Sequence, residues 1–270
     1  MRTAVLDDGT EVFCLQKPEA LVLDEHVNGY LQHGITLSND DVIFDVGANI
    51  GVFAVRALQR HSSIRVYAFE PIPEIHAVLA KNGARYGAER FHCYRCGLSN
   101  APSTMTFEYY PRAPAMSTAY PEAWQRDSKS LENAVRGNVR NARRRFWYAY
   151  LVPDFAAKFV MNFLRGAAKR VTSPLRTVSE MIEETGVAKI DLLKIDCEGA
   201  ELLVLEGISD AHWPRIKQVV VEVHDENGRL EKLTSMLRER GFTRQTVVHE
   251  EGFEHTALRN VFALREGTRT

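Results

Sequence analysis

The chain has 270 residues, 45% of them apolar and 26% charged, with a formal net charge of −1. That is the composition of a globular protein with a sizeable core; it excludes a chain too polar to fold and gives no general pull towards nucleic acid or membrane. No run approaches the ~18 apolar residues a bilayer span needs. The opening MRTAVLDDGTEV meets acids before a signal-peptide core can form, so a cytoplasmic protein is expected.

Residues 1–40 read as an N-terminal cover segment. Within them LVLDEHVNGYLQHG has a helical pattern that sets His26 and Tyr30 four apart on one face, where packing against a sheet edge is the first expectation and contact with an acceptor the second. VIFDV (42–46) is the first apolar strand, followed by helical IGVFAVRALQRH, the strand RVYAFEP (65–71) and helical PEIHAVLAKNGARYG. FHCYRCGLS (91–99) reads as a third strand whose Cys93 and Cys96 point to opposite faces. With no second CxxC or suitably placed histidine pair, the cysteines are expected to be free thiols and not a zinc site. TMTFEYY (104–110) is a further strand.

Residues 111–172 interrupt this alternation. They carry the cluster Arg143, Arg144 and Arg145, interleaved with aromatics such as Trp147, Tyr148 and Tyr150, and read as a basic helical lid inserted after the third strand. A solvated basic face over a small core of its own is the plainer alternative. Beyond it, helical TVSEMIEETG, the strand KIDLLKID (189–196), helical GAELLVLEG, QVVVEVH (218–224), helical GRLEKLTSMLRERG and the runs TRQTVVH and ALRNVFAL complete the chain. Strands separated by helices form parallel β-α-β units, whereas the short link between the last two runs requires antiparallel pairing. The expectation is therefore one domain, 1–270: a mostly parallel seven-stranded α/β sheet, Rossmann-like, with helices on both faces and an antiparallel last strand. In such a sheet ligands bind beyond the carboxyl ends of the strands.

The first of those ends is DVGANIG. A dinucleotide loop needs GxGxxG to grip a pyrophosphate, but here Asn49 stands at the middle glycine and Asp45 ends the strand. A carboxylate repels a pyrophosphate and suits a cation, and S-adenosylmethionine carries a sulfonium and an ammonium. Glu70 lies 23 positions after Gly47, the distance at which an acid ends the second strand and accepts from ribose hydroxyls.

These residues resemble the cofactor motifs of class I S-adenosylmethionine-dependent methyltransferases. LLKIDCEGAELLVLEGI (192–208), together with DVGANIG, FEPIP and VVEVH, narrows the resemblance to the FkbM family, with Cys197 where the family usually has valine. The likeness covers about 20–110 and 172–265 and leaves the basic insertion aside. It implies methyl transfer, usually to a hydroxyl oxygen of a natural product or sugar. By motif match Asp45, Gly47, Asn49 and Gly51 line the methionine part of the cofactor, Glu70 and Pro71 the ribose, and Gly97, Leu98 and Ser99 the adenine.

Methylating an alcohol requires positioning and a place for its proton. Asp196 and Glu198 end the fourth strand and Glu222 and His224 the fifth; alternation puts Glu222 and His224 on one face, so the carboxylate is expected to orient the imidazole as general base. Lys194 reads as structural. A metal held by an acid of the fourth strand with Glu222 and His224 is the rival, ranked below metal-free base catalysis. The whole reads as an O-methyltransferase for a small hydroxyl acceptor, with the arginine cluster steering an acidic carrier protein that delivers it. An NAD-dependent oxidoreductase and a non-catalytic RNA-holding module are the other classes. Asp45 argues against the first, and the confinement of basic residues to one segment against the second.

Overall fold

The computed structural model describes residues 1–120, 163, 166–225, 227–249 and 257–267. The chain opens as an antiparallel hairpin of β1 (Arg2–Val5) and β2 (Glu11–Cys14). Helix α1 (Lys17–Val27) follows, with proline in its first turn, and continues as one 3₁₀ turn through Tyr30. Arg56 fixes where α1 lies: its Nε and Nη2 donate to the two oxygens of buried Asp24 at 2.7 and 2.6 Å, while Nη1 reaches Asp8 in the turn of the hairpin. This bidentate geometry joins helix, hairpin and the first sheet-packing helix in one contact.

The parallel core comprises β3 (Val42–Val46), α2 (Val52–Arg60), β4 (Arg65–Phe69), α3 (Pro73–Gly87) and β5 (Phe91–Tyr94). Every residue of β3 is buried, as expected of a central strand covered on both faces. The chain then forms β6 (Gly97–Leu98), β7 (Ser103–Tyr109), β8 (Lys169–Arg176), α4 (Val178–Thr185), β9 (Leu192–Ile195) and α5 (Glu201–Glu206). It ends with β10 (Gln218–His224), α6 (Arg229–Glu239), β11 (Arg244–Val248) and β12 (Leu258–Leu264). The seven-stranded sheet has the order β11-β12-β10-β9-β3-β4-β5; β12 is antiparallel to both its neighbours, and the remaining four pairs are parallel. The last strand is thus antiparallel, as its short link required, and wedges between β10 and β11.

Alternation divides the sheet's side chains between two cores. Ile43, Val66, Leu192, Val220 and Phe262 pack with α2, α3, the hairpin and Tyr30, whereas Phe44, Leu193, Val221 and Val261 pack with α4, α5 and α6. Helices therefore cover both faces. Cys93 packs on the first core and Cys96 lies in the second, and all four cysteines are free thiols.

Two expectations require correction. The run 91–99 is not one strand: β5 stops at Tyr94, where its partner β4 ends, and Gly97–Leu98 turns away to pair with β8. The insertion is not helical through residue 172, because Lys169–Arg176 pairs antiparallel with β7 in a separate three-stranded sheet, β6-β8-β7. Residues 121–162, the bulk of the expected lid and its arginine cluster, lie outside the described residues.

Candidate active site

The loop after β3 turns on three left-handed residues, Gly47, Asn49 and Gly51, with φ of +73°, +50° and +85°. Gly47 is obligatory for a second reason: a Cβ there would lie 1.6 Å from the carbonyl oxygen of Asp196. The loop is pressed against the end of β9. Asparagine tolerates its left-handed backbone because its side chain can bond locally, and here Oδ1 accepts from the Ile50 amide at 2.7 Å. Glu70 clamps the loop from β4, one oxygen accepting from the Asn49 amide at 3.1 Å and the other from Ile72 at 2.9 Å. Burial pushes its carboxyl up to about 7 against those two amides.

These residues edge a cavity of about 1260 Å³, room for a nucleoside cofactor and a second molecule together. Gly47, Asn49, Glu70, Pro71, Gly97, Leu98, Ser99, Asp196, Glu198, Glu222 and His224 all line it. Asp45 and Gly51 do not, which corrects two expectations. Gly51 faces Leu79 and Phe91, where a Cβ would come within 2.7 and 2.9 Å of their side chains. Asp45 is wholly buried behind the loop, 3.1 Å from Lys194 Nζ.

Lys194 does more than pair with Asp45. It also lies 3.6 Å from Asp196 Oδ2 and donates to the Gly47 carbonyl at 3.1 Å. Burial works against its charge, but Asp45 and Asp196 outweigh burial and hold the ammonium above the usual lysine range. Asp196 is held below the carboxylate range, against its own burial, by Lys194, His26 and the Tyr30 hydroxyl. The acid at the end of β3 therefore pairs with a buried lysine and lies behind the cavity wall.

The negative wall that faces the cavity belongs instead to β9, β10 and the turn after β9. Asp45, Lys194, Glu222 and His224 follow Ile43, Leu192 and Val220 by even steps, so they project towards α1. There the pairing differs from the one expected. Glu222 Oε2 lies 2.8 Å from His26 Nε2, and His224 Nε2 lies 3.6 Å from Glu198 Oε2. His26 Nε2 is also 2.7 Å from the Tyr30 hydroxyl, which donates to Asp196 Oδ2 at 2.9 Å. Sharing a face of β10 brought Glu222 and His224 to one cavity, but α1 and the acidic turn supply their partners. Packing of His26 and Tyr30 at a sheet edge is thus only half the description. The missed signal was a pair of polar-tipped rings at helical spacing on a face that also had to be buried.

The turn from Glu198 to Gly199 has φ of +55° and +110° and is tied by its neighbours. Thr118 Oγ1 donates to the Glu198 carbonyl at 3.0 Å, and buried Glu201 accepts from the Gly199 amide at 2.6 Å. A left-handed Glu198 is the kind of backbone strain found at functional sites. Burial, then Asp196, Glu222 and Glu201, push its carboxyl well above the usual range, so a positive charge entering the cavity is favoured.

Glycine loop, acid on the second strand and an acid-lined cavity at the carboxyl ends of the strands define a class: nucleoside-binding α/β enzymes whose ligand is cationic. The Methyltransferase FkbM domain model matches residues 45–244, and the chain belongs to that methyltransferase family. Membership carries with it S-adenosylmethionine as methyl donor. The chain is 34% identical over 270 residues to the 31-O-demethyl-FK506 methyltransferase FkbM of Streptomyces tacrolimicus, covering 98% of this chain and 97% of that one. It is 30% identical to methyltransferase sdnD of Sordaria araneosa, over 87% and 86% of the two chains. It is also 36% identical to part of the AMB antimetabolite synthetase AmbE of Pseudomonas aeruginosa, covering 88% of this chain but 11% of that longer protein. No helix among the described residues is long and apolar enough to cross a membrane.

The lysine is the first test of this site. Lys194→Met leaves the carboxylate of Asp45 buried without its cation and should cost about 3–5 kcal/mol in urea unfolding. Lys194→Met with Asp45→Asn should recover most of that loss; no recovery would show that the pair does not hold the loop.

Proposed function

We propose that this chain is an O-methyltransferase that uses S-adenosylmethionine to methylate a hydroxyl of a small natural-product acceptor. The observation that carries the reading is the meeting, in one cavity, of the glycine loop with two imidazole–carboxylate pairs. A neutral amine attacks a methyl sulfonium with its own lone pair, whereas an alcohol must lose a proton as it reacts; a base beside the loop is what a hydroxyl needs. The relatives' names, a 31-O-demethyl-FK506 methyltransferase and an antimetabolite synthetase, support both the hydroxyl and the natural-product class.

The residues fit the cofactor. Gly47 and Asn49 line the cavity on a loop pressed against β9, and Glu70 reaches the cavity with both oxygens still able to accept further hydrogen bonds. Pro71, Gly97, Leu98 and Ser99 form the adjoining wall, suited to a flat base. The bound cofactor supplies a methyl group on a positively charged sulfur. Asp196 and Glu222 form the negative wall facing that charge, the role first ascribed to Asp45, and Glu198 joins them as the positive charge favours its ionised form. His224 takes the acceptor's proton as its oxygen gains the methyl, and Glu198 stabilises the imidazolium that forms.

The similarity to a stretch of AmbE supports an acceptor delivered on an acidic carrier protein, steered by Arg143, Arg144 and Arg145.

Three outcomes follow from this reading. Calorimetry with S-adenosylhomocysteine should give one site whose affinity rises between about pH 5 and 8, because Glu70 loses its proton near 7 and the ribose hydroxyls donate to the ionised form. Glu70→Gln should weaken binding and flatten that rise. His224→Ala should lower kcat by about 10²–10⁴-fold and leave S-adenosylhomocysteine affinity within twofold; an unchanged kcat would remove His224 as the base. Charge reversal of the three arginines should slow methylation of a carrier-bound substrate and spare a free analogue, and equal slowing of both would end the carrier reading.

A further inference from the structure

We propose that His26, Asp196 and Glu222 form a divalent-cation site in the floor of this cavity. The three come from separate elements, α1, the end of β9 and the end of β10, yet one ligand atom from each lies within 4.8 Å of the others. An octahedral cation with bonds of about 2.1 Å places neighbouring ligands about 3.0 Å apart and opposite ones about 4.2 Å apart. His26 Nε2 and Glu222 Oε2, 2.8 Å apart, already have the neighbouring spacing, and a small inward movement of Asp196 completes the set.

The contacts within the cluster point the same way. The cluster contains three short contacts: His26 Nε2 to the Tyr30 hydroxyl at 2.7 Å, His26 Nε2 to Glu222 Oε2 at 2.8 Å, and the Tyr30 hydroxyl to Asp196 Oδ2 at 2.9 Å. Tyr30 and Glu222 thus approach the same ring nitrogen. One Nε2–H split between two oxygens satisfies neither well. A cation coordinated by Nε2, Oε2 and Oδ2 takes up all three ligand atoms at once and leaves the tyrosine hydroxyl to fix the Asp196 carboxylate, as ligating carboxylates are usually fixed. Among the described residues the carboxylates nearby outnumber the cations, and Lys194 is shared among Asp45, Asp196 and the Gly47 carbonyl.

One imidazole nitrogen and two carboxylate oxygens suit a borderline cation such as Mn²⁺ or Zn²⁺ better than Ca²⁺, which prefers an all-oxygen shell. The site differs from the ligand set that strand alternation suggested, with His26 of α1 in place of His224. It rests on the hydroxyl-methylation reading for its purpose: a cation beside the cofactor loop lowers the pKa of a bound alcohol and leaves His224 to accept the proton. Its existence can be tested without any methylation.

The experiment is a Mn²⁺ titration of chelator-stripped full-length protein, followed by loss of the free-ion electron paramagnetic resonance signal. One site per chain is expected, weakened at least tenfold in His26→Gln and in Glu222→Gln and within twofold of wild type in His224→Gln. A circular dichroism spectrum and urea midpoint matching wild type certify the fold of each variant. No Mn²⁺ binding by folded wild-type protein, or equal binding by wild type and His26→Gln, would overturn the proposal. So would loss confined to His224→Gln. A Mn²⁺ site in a protein that methylates no hydroxyl would keep the metal and remove the O-methyltransferase reading, so the two fail separately.

Discussion

The ammonium of Lys194 holds the active end of this molecule together. It sits at the carboxyl end of β9, pairs with Asp45 of β3 and Asp196 beyond β9, and holds the Gly47 carbonyl. Two stretches of backbone, the end of β3 with its loop and the end of β9 with its turn, are thereby fixed around one charge. A buried ion pair is seldom a net source of stability, because desolvating both partners consumes most of their attraction. Its value here is positional. With Gly47 pressed against the Asp196 carbonyl, the loop that cradles the cofactor and the turn that carries the acids move as one piece.

Around that fixed charge the N-terminal segment completes the site. The sheet presents Asp196, Glu222 and His224 on one side, and a sheet alone would leave them to water. Helix α1 covers that side and inserts His26 and Tyr30 among them, anchored from behind by the bidentate pair of Arg56 with Asp24. Because Asp24 is buried and its partner lies on α2, the anchor cannot slide without stranding a carboxylate. The cover is therefore part of the chemistry as well as of the core.

Strand order, the antiparallel last strand and helices on both faces were legible because each rests on local periodicity and link length. The residues around the cavity were legible where a motif fixed backbone, as at Gly47, Asn49 and Glu70. What could not be read was partnership across elements. Alternation placed Glu222 and His224 on one face, but no spacing states that His26 and Glu198, respectively 196 and 26 positions away, would claim them. Asp45 misled for a related reason: a carboxylate at a strand end announces a charge nearby without saying whether that charge belongs to a ligand or to the neighbouring strand. The break after Tyr94 depended on where β4 ends, a property of the partner strand.

The exchange of partners changes what each histidine can do. A single Glu222–His224 pair would have combined base and orienting acid on one strand, leaving Asp196 and Glu198 as bystanders. Two pairs divide the cavity floor instead. The pair nearer α1, His26 with Glu222, is locked by Tyr30 into a tight cluster with no slack for moving a proton, which suits it to holding something in place. The other, His224 with Glu198, is looser at 3.6 Å and rests on a turn strained into left-handed backbone. A base must exchange its proton during turnover, and looseness with a neighbour that resists ionisation permits that. Concentrating this many acids in one cavity is costly to the empty fold, and the cost is offset when a positive charge arrives. On this argument the stability given up by the carboxylate wall is the source of its selectivity for a cationic donor.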